Sequence, residues 1–228
     1  MANEIPVYLF VGFLESGKTK FIQETFEDPN FDSGDKTLLL VCEEGEEEYN
    51  EKKFAFPGVT LYNLEDKAEL NPQNLAKLAR EADAGRVVIE YNGMWMLQDL
   101  ANNLPENWIV YQCIATADGT TALTYARDNS MRALMLDKIA RSELIVFNRA
   151  EAVNNDAARH RFFKHPDFIK GFRFSTYDKR TKEANTCIVG TVLLSDAKEF
   201  IFQTFHFSVV NLTLALTQLM RHGSKNFI

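Results

Sequence analysis

The segment spanning residues 5–26, IPVYLFVGFLESGKTKFIQETF, passes from a short apolar strand through a glycine-bounded loop into a helix. Ile5, Val7, Leu9 and Val11 precede the loop, and Phe21, Ile22 and Phe26 follow it at helical spacing. Between them, Gly12-Phe13-Leu14-Glu15-Ser16-Gly17-Lys18-Thr19 fits G-x-x-x-x-G-K-[ST] at every fixed position, and strand–loop–helix is the setting that pattern requires. The segment reads as a phosphate-binding loop.

The chemistry accounts for the spacing. Gly12 and Gly17 let the backbone curl so that successive N–H groups converge on phosphate oxygens, and the helix beyond offers its positive end. Gly12, Glu15, Ser16, Gly17, Lys18, Thr19 and Lys20 are the candidate phosphate contacts. Lys18 is expected to reach the β- and γ-phosphates, and the Thr19 hydroxyl to ligate Mg²⁺.

The 228 residues suit one α/β domain with at most a small appendage, and a 46% hydrophobic composition supplies a core. The net charge of −7 is unevenly spread: residues 156–228 carry 11 basic against 6 acidic side chains, and residues 1–155 carry 14 against 26. An acidic front half argues against nonspecific DNA binding. Cys42, Cys113 and Cys187 are widely separated, and the start MANEIP lacks a cationic and apolar leader, so a reduced cytoplasmic setting is expected. Residues 200–220 contain no charged side chain, but Gln203, His206, Asn211 and Gln218 interrupt them. A buried core or subunit interface fits that stretch better than a membrane span.

Further strands are expected at 36–42, 58–62, 86–90, 108–115 and 143–147, with helices over about 71–82 and 122–141, the second broken near Asp128-Asn129-Ser130. Alternating strands and helices of this kind predict a mostly parallel sheet flanked by helices. Five glutamates, Glu43, Glu44, Glu46, Glu47 and Glu48, follow the second strand at the sheet edge where ligands gather. They read either as a switch or metal-approach loop or as an acidic loop facing water. Glu90 ends an apolar strand and continues as Tyr91-Asn92-Gly93, the Walker-B arrangement that holds the Mg²⁺ shell or orients water. Asn148-Arg149-Ala150-Glu151 stands where GTPases carry the guanine-reading N-K-x-D, with Arg for Lys and Glu for Asp. Asn148 and Glu151 are therefore the candidate base readers.

Together these elements resemble the CobW-type GTPases (CobW/HypB/UreG-like, SIMIBI class), a group that includes cobalamin-biosynthesis proteins and zinc metallochaperones. The family's G-F-L-G-[SA]-G-K-T-T is similar to residues 12–20, with Glu15 and Lys20 as departures. Its N-E-F-G switch segment is similar to Cys42-Glu43-Glu44-Gly45, and its E-x-S-G segment to Glu90-Tyr91-Asn92-Gly93. The family's C-x-C-C metal motif has no counterpart in residues 58–70, which contain no cysteine. The resemblance covers roughly residues 4–151 and implies a GTP-binding domain; that domain is expected over residues 1–180, followed by a C-terminal segment, 181–228, packed on the same domain or serving as an interface. It also implies GTP and Mg²⁺ as ligands, with ATP as the competing nucleotide. Lys18 and Glu90 are the catalytic candidates; Thr19, Glu90 and Glu43 are the metal candidates. A second divalent ion at the Cys42–Glu48 loop, a metal-dependent client and a homodimer complete the expectations.

Residues 159–182 interleave eight basic side chains with aromatic ones, a pattern read either as RNA binding or as the cationic outer face of a last helix and strand; no RNA-binding motif accompanies it. His160 and His165 are five apart, the wrong interval for one helical face. Two rivals share the phosphate loop with a slow GTPase. A small-molecule kinase needs an acceptor site and lid arginines that are not evident. A non-hydrolysing interaction module would bind nucleotide without turnover.

Overall fold

The computed structural model describes residues 4–142, 144–149, 174–176 and 188–190. Glu151, His160, His165, Cys187 and the uncharged stretch 200–220 lie outside them, as does most of the basic and aromatic segment 159–182. The described chain runs β1 (Ile5–Val11), α1 (Lys18–Phe26), β2 (Thr37–Val41), β3 (Val59–Asn63), α2 (Pro72–Glu81), β4 (Arg86–Glu90) and α3 (Leu97–Ala101). It continues through β5 (Trp108–Asp118), α4 (Ala122–Arg127), α5 (Asn129–Ala140), β6 (Leu144–Asn148), β7 (Phe174–Thr176) and β8 (Ile188–Gly190).

All eight strands form one sheet in the order β3-β2-β4-β1-β5-β6-β8-β7. The first six are parallel, and β8 and β7 close the edge antiparallel. A parallel sheet of this kind must be covered on both faces, and β1 shows how the sequence arranges it. Val7, Leu9 and Val11 enter a core shared with Leu75 and Leu78 of α2, Leu97 and Leu100 of α3, and Met135 and Ile139 of α5. Tyr8 and Phe10 point the other way, into a core with Ile22 and Phe26 of α1 and with Phe31 and Phe56. The two-residue period of a strand puts alternate side chains on opposite faces, so one apolar run feeds both cores.

Two local features shape the sheet. Val7 pairs with Val110 while Tyr8 pairs with Gln112, so Tyr111 is an extra residue that bulges β5. The strand also runs three residues past the stretch 108–115 read from the sequence, because its last five residues, Ile114–Asp118, pair with β6. The expected break in the helix over 122–141 is a single residue. Asp128 ends α4 in extended conformation, and its Oδ1 accepts from the N–H groups of Ser130 and Met131 to open α5.

Candidate nucleotide-binding site

The strands bring the candidate residues to one edge. Phe10 and Val41 are both level with Glu90 across the sheet, and Asp118 is level with Asn148. The segments after β1, β2, β4, β5 and β6 therefore all leave from the carboxyl end, on either side of the central strand. This is the crevice where open parallel sheets hold ligands.

Within it, Lys18 is the first residue of α1 and only 3% exposed. Its Nζ donates to Gly12 O at 3.1 Å, Phe13 O at 3.0 Å and Glu43 Oε2 at 2.5 Å. Gly17, immediately before it, has φ +99°, and a Cβ there would lie 2.5 Å from Asn148 Nδ2. Both the backbone angle and the approach of Asn148 require glycine. Ser16 Oγ and Thr116 Oγ1 share a hydrogen bond of 2.7 Å that pins the loop to β5. Lys20, by contrast, is exposed on α1.

Thr19 Oγ1 donates to Glu90 Oε1 at 2.8 Å, joining the first turn of α1 to the end of β4. Glu90 is buried, and the Tyr49 hydroxyl donates to its other oxygen, Oε2. Burial pushes the Glu90 carboxyl above the usual range; the Tyr49 hydrogen bond, the Lys18 charge and the Thr19 hydroxyl pull the other way. The Tyr49 phenol is held well above its ordinary value, by burial first and then by the Glu90 charge. Sequence reasoning passed over Tyr49: a tyrosine at the end of an acidic loop carries no motif.

The acidic loop meets the phosphate loop directly. Glu43 Oε1 accepts from Gly93 N–H at 3.1 Å, while Oε2 takes the Lys18 ammonium. Asn92 Nδ2 donates to Cys42 O at 3.0 Å, and Glu46 N–H donates to Glu15 Oε1 at 3.2 Å. Gly93, after β4, lets that segment pass against the phosphate loop, since a Cβ there would sit 2.7 Å from Gly12 O and 2.8 Å from Phe13 Cα. Glu44, Glu46, Glu47 and Glu48 are exposed.

On the far side, Arg149 takes φ +51° and its Nη1 donates to Glu15 O at 3.1 Å and to Asp118. The arginine that stands for the lysine of N-K-x-D thus ties the phosphate loop to the ends of β5 and β6. Asn148 Oδ1 accepts from Arg149 N–H at 2.9 Å, with its amide nitrogen toward Gly17. Asp118, three residues past the strand as read from the sequence, carried no motif.

Two oxygen donors at the carboxyl edge, Thr19 Oγ1 and the Glu90 carboxylate, suit a hard divalent cation beside a phosphate. The second site expected at Cys42–Glu48 does not fit its residues. Cys42 is 3% exposed within the core, and burial, with Glu90 and Glu43 nearby, pushes its thiol up to about 12. Among the described residues no group of three or more His, Cys, Asp or Glu side chains is placed to hold a metal ion.

A six-strand parallel core with its glycine-bounded loop ahead of a buried lysine defines a P-loop nucleotide-binding domain. The family model for the CobW/HypB/UreG nucleotide-binding domain matches residues 6–165, and the chain belongs to that family. No curated protein and no solved structure matches the chain. Among the described residues no helix is long and apolar enough to cross a membrane.

Proposed function

We propose that the protein is a slow Mg²⁺-dependent GTPase that acts in the cytoplasm as a switch or metal-trafficking accessory factor. The observation that carries this reading is the meeting of two motifs. Lys18 lies buried at the base of the Gly12–Thr19 loop, and Thr19 bonds the strand-end Glu90. These are the parts a P-loop hydrolase needs in contact.

In this reading Lys18 gives its charge to the terminal phosphates, and the backbone of residues 12–19 cradles them. Thr19 and Glu90 would hold Mg²⁺, which when bound neutralises charge on the β- and γ-phosphate oxygens. Glu90 Oε2 keeps its partner on Tyr49, which fixes the carboxylate plane. Asn148 and Glu151 read the base, and Arg149 ties the phosphate loop to the end of β6 beside Asn148. Catalysis is positioning and charge stabilisation rather than proton abstraction by a dedicated base. Leu14, Met94 and Met96 are exposed large apolar side chains on the loops that meet here. They supply the surface on which a client or a second copy would register the nucleotide.

Calorimetry of GTP and ATP with Mg²⁺ tests the reading in the native chain, Lys18→Ala and Glu151→Ala. GTP is expected to bind in preference to ATP, to lose that preference in Glu151→Ala, and to lose binding in Lys18→Ala. Equal binding of both nucleotides would leave a P-loop module or kinase instead of a GTPase.

A further inference from the structure

Glu43 occupies a seat that is fully furnished for an anion. Its carboxylate is clasped by an ammonium on one oxygen and a backbone N–H on the other, Lys18 Nζ at 2.5 Å and Gly93 N at 3.1 Å. Both side chains are withdrawn from water, at 2% and 9% exposure. The chain on either side is tethered, by Asn92 on Cys42 O and by Glu15 on Glu46 N–H, so the seat is built into the loop.

An ammonium has three hydrogens. Those of Lys18 face Gly12 O, Phe13 O and Glu43 Oε2. The first two are carbonyls of the phosphate loop itself, so among the described residues Glu43 is the anion hydrogen-bonded to Lys18. A phosphate oxygen arriving at Lys18 meets a carboxylate already there, and two uncompensated anions at one buried cation repel strongly.

We infer that Glu43 is an internal stand-in for the terminal phosphate: it neutralises Lys18 in the ligand-free protein, and a nucleoside triphosphate binds by evicting it. The inference rests on the phosphate-loop reading of residues 12–19. A diphosphate reaches Lys18 through its β-phosphate alone and leaves the outer place to Glu43. A triphosphate fills that place and releases the loop behind Glu43, so the 43–49 segment distinguishes the two nucleotides through one carboxylate. This assigns the loop's first glutamate a different task from its four exposed neighbours.

Glu43→Gln tests it, because the amide keeps an oxygen for Gly93 N–H and removes the charge that competes for Lys18. Calorimetry with Mg²⁺ would compare a non-hydrolysable GTP analogue and GDP in the native chain, Glu43→Gln and Lys18→Ala. The variant is expected to bind the triphosphate analogue roughly tenfold tighter, with GDP changed far less. Glu43→Asp, too short to span both partners, is expected to shift the same way and serves if Glu43→Gln does not fold. Unchanged or weaker triphosphate binding in Glu43→Gln, or an equal gain for both nucleotides, would overturn the inference while Lys18-dependent binding kept the phosphate-loop reading intact. Absence of Lys18-dependent binding in every form would overturn both.

Discussion

At the scale of single residues, the site depends on side chains that are missing as much as on those present. Gly17 combines a left-handed backbone with an Asn148 amide where a Cβ would fall. Gly17→Ala is expected to destabilise the fold by about 2 kcal/mol, measured by urea denaturation, and to weaken nucleotide binding as Asn148 is displaced. Both glycines of the loop, with Lys18 and Thr19, were legible because the motif fixes residue types at fixed spacing. The partners of those residues were not. Thr116 lies 100 positions from Ser16, and no local pattern connects a hydroxyl on β5 to a loop after β1. Glu43 was legible as a carboxylate near the site, but its pairing with Lys18 follows from the register of β1, β2 and β4.

At the scale of elements, α5 holds the segment after β4. Lys138 Nζ donates to Trp95 O at 2.8 Å, and Asp137 Oδ2 accepts from Leu97 N–H at 2.8 Å. Sequence periodicity marked this helix for its apolar residues, and no motif singled out the lysine in its last turn. It is 2% exposed. Burial lowers the Lys138 ammonium below the usual lysine range, with Asp137 opposing the shift. The folded state therefore binds its proton less well than the unfolded chain, and the penalty of burying the charge is relieved as pH rises from the lowered value toward the ordinary one. Melting temperature followed into that alkaline window should carry a stabilising contribution in the native protein that Lys138→Met lacks. Identical pH slopes would mean that Lys138 keeps its ordinary proton affinity.

At the scale of the whole molecule, the class of fold was legible because strand–helix alternation and apolar runs are local properties. The antiparallel edge was less so: a strand over residues 171–175, completing the sheet, was one reading and overlaps β7, whereas β8 was not read, and each strand is three residues long. Short edge strands carry too few side chains for a period to show. At the amino end of the sheet the strands were read but the partners of Arg86 were not. There Arg86, 3% exposed, lies 4.4 Å from the Phe31 ring centroid and 5.1 Å from that of Phe56, donating to Thr37 Oγ1 and Phe31 O. Arg86→Lys loses the planar fork and is expected to cost roughly 1–3 kcal/mol in denaturation while leaving nucleotide affinity unchanged. Glu90, at the other end of the same five-residue strand, should show the reverse priority: Glu90→Gln weakens Mg²⁺-dependent binding most.

Every residue of β4 is buried, and the strand opens with a cation and closes with a carboxylate about 13 Å apart. At that separation, with no partner in common, substitutions at the two ends are thermodynamically independent. The double variant Arg86→Lys/Glu90→Gln should have the summed effect of the singles, to within about 0.5 kcal/mol. One strand then offers two uncoupled handles. Durability can be tuned from its amino end and affinity from its carboxyl end, and an engineer can adjust either without retuning the other.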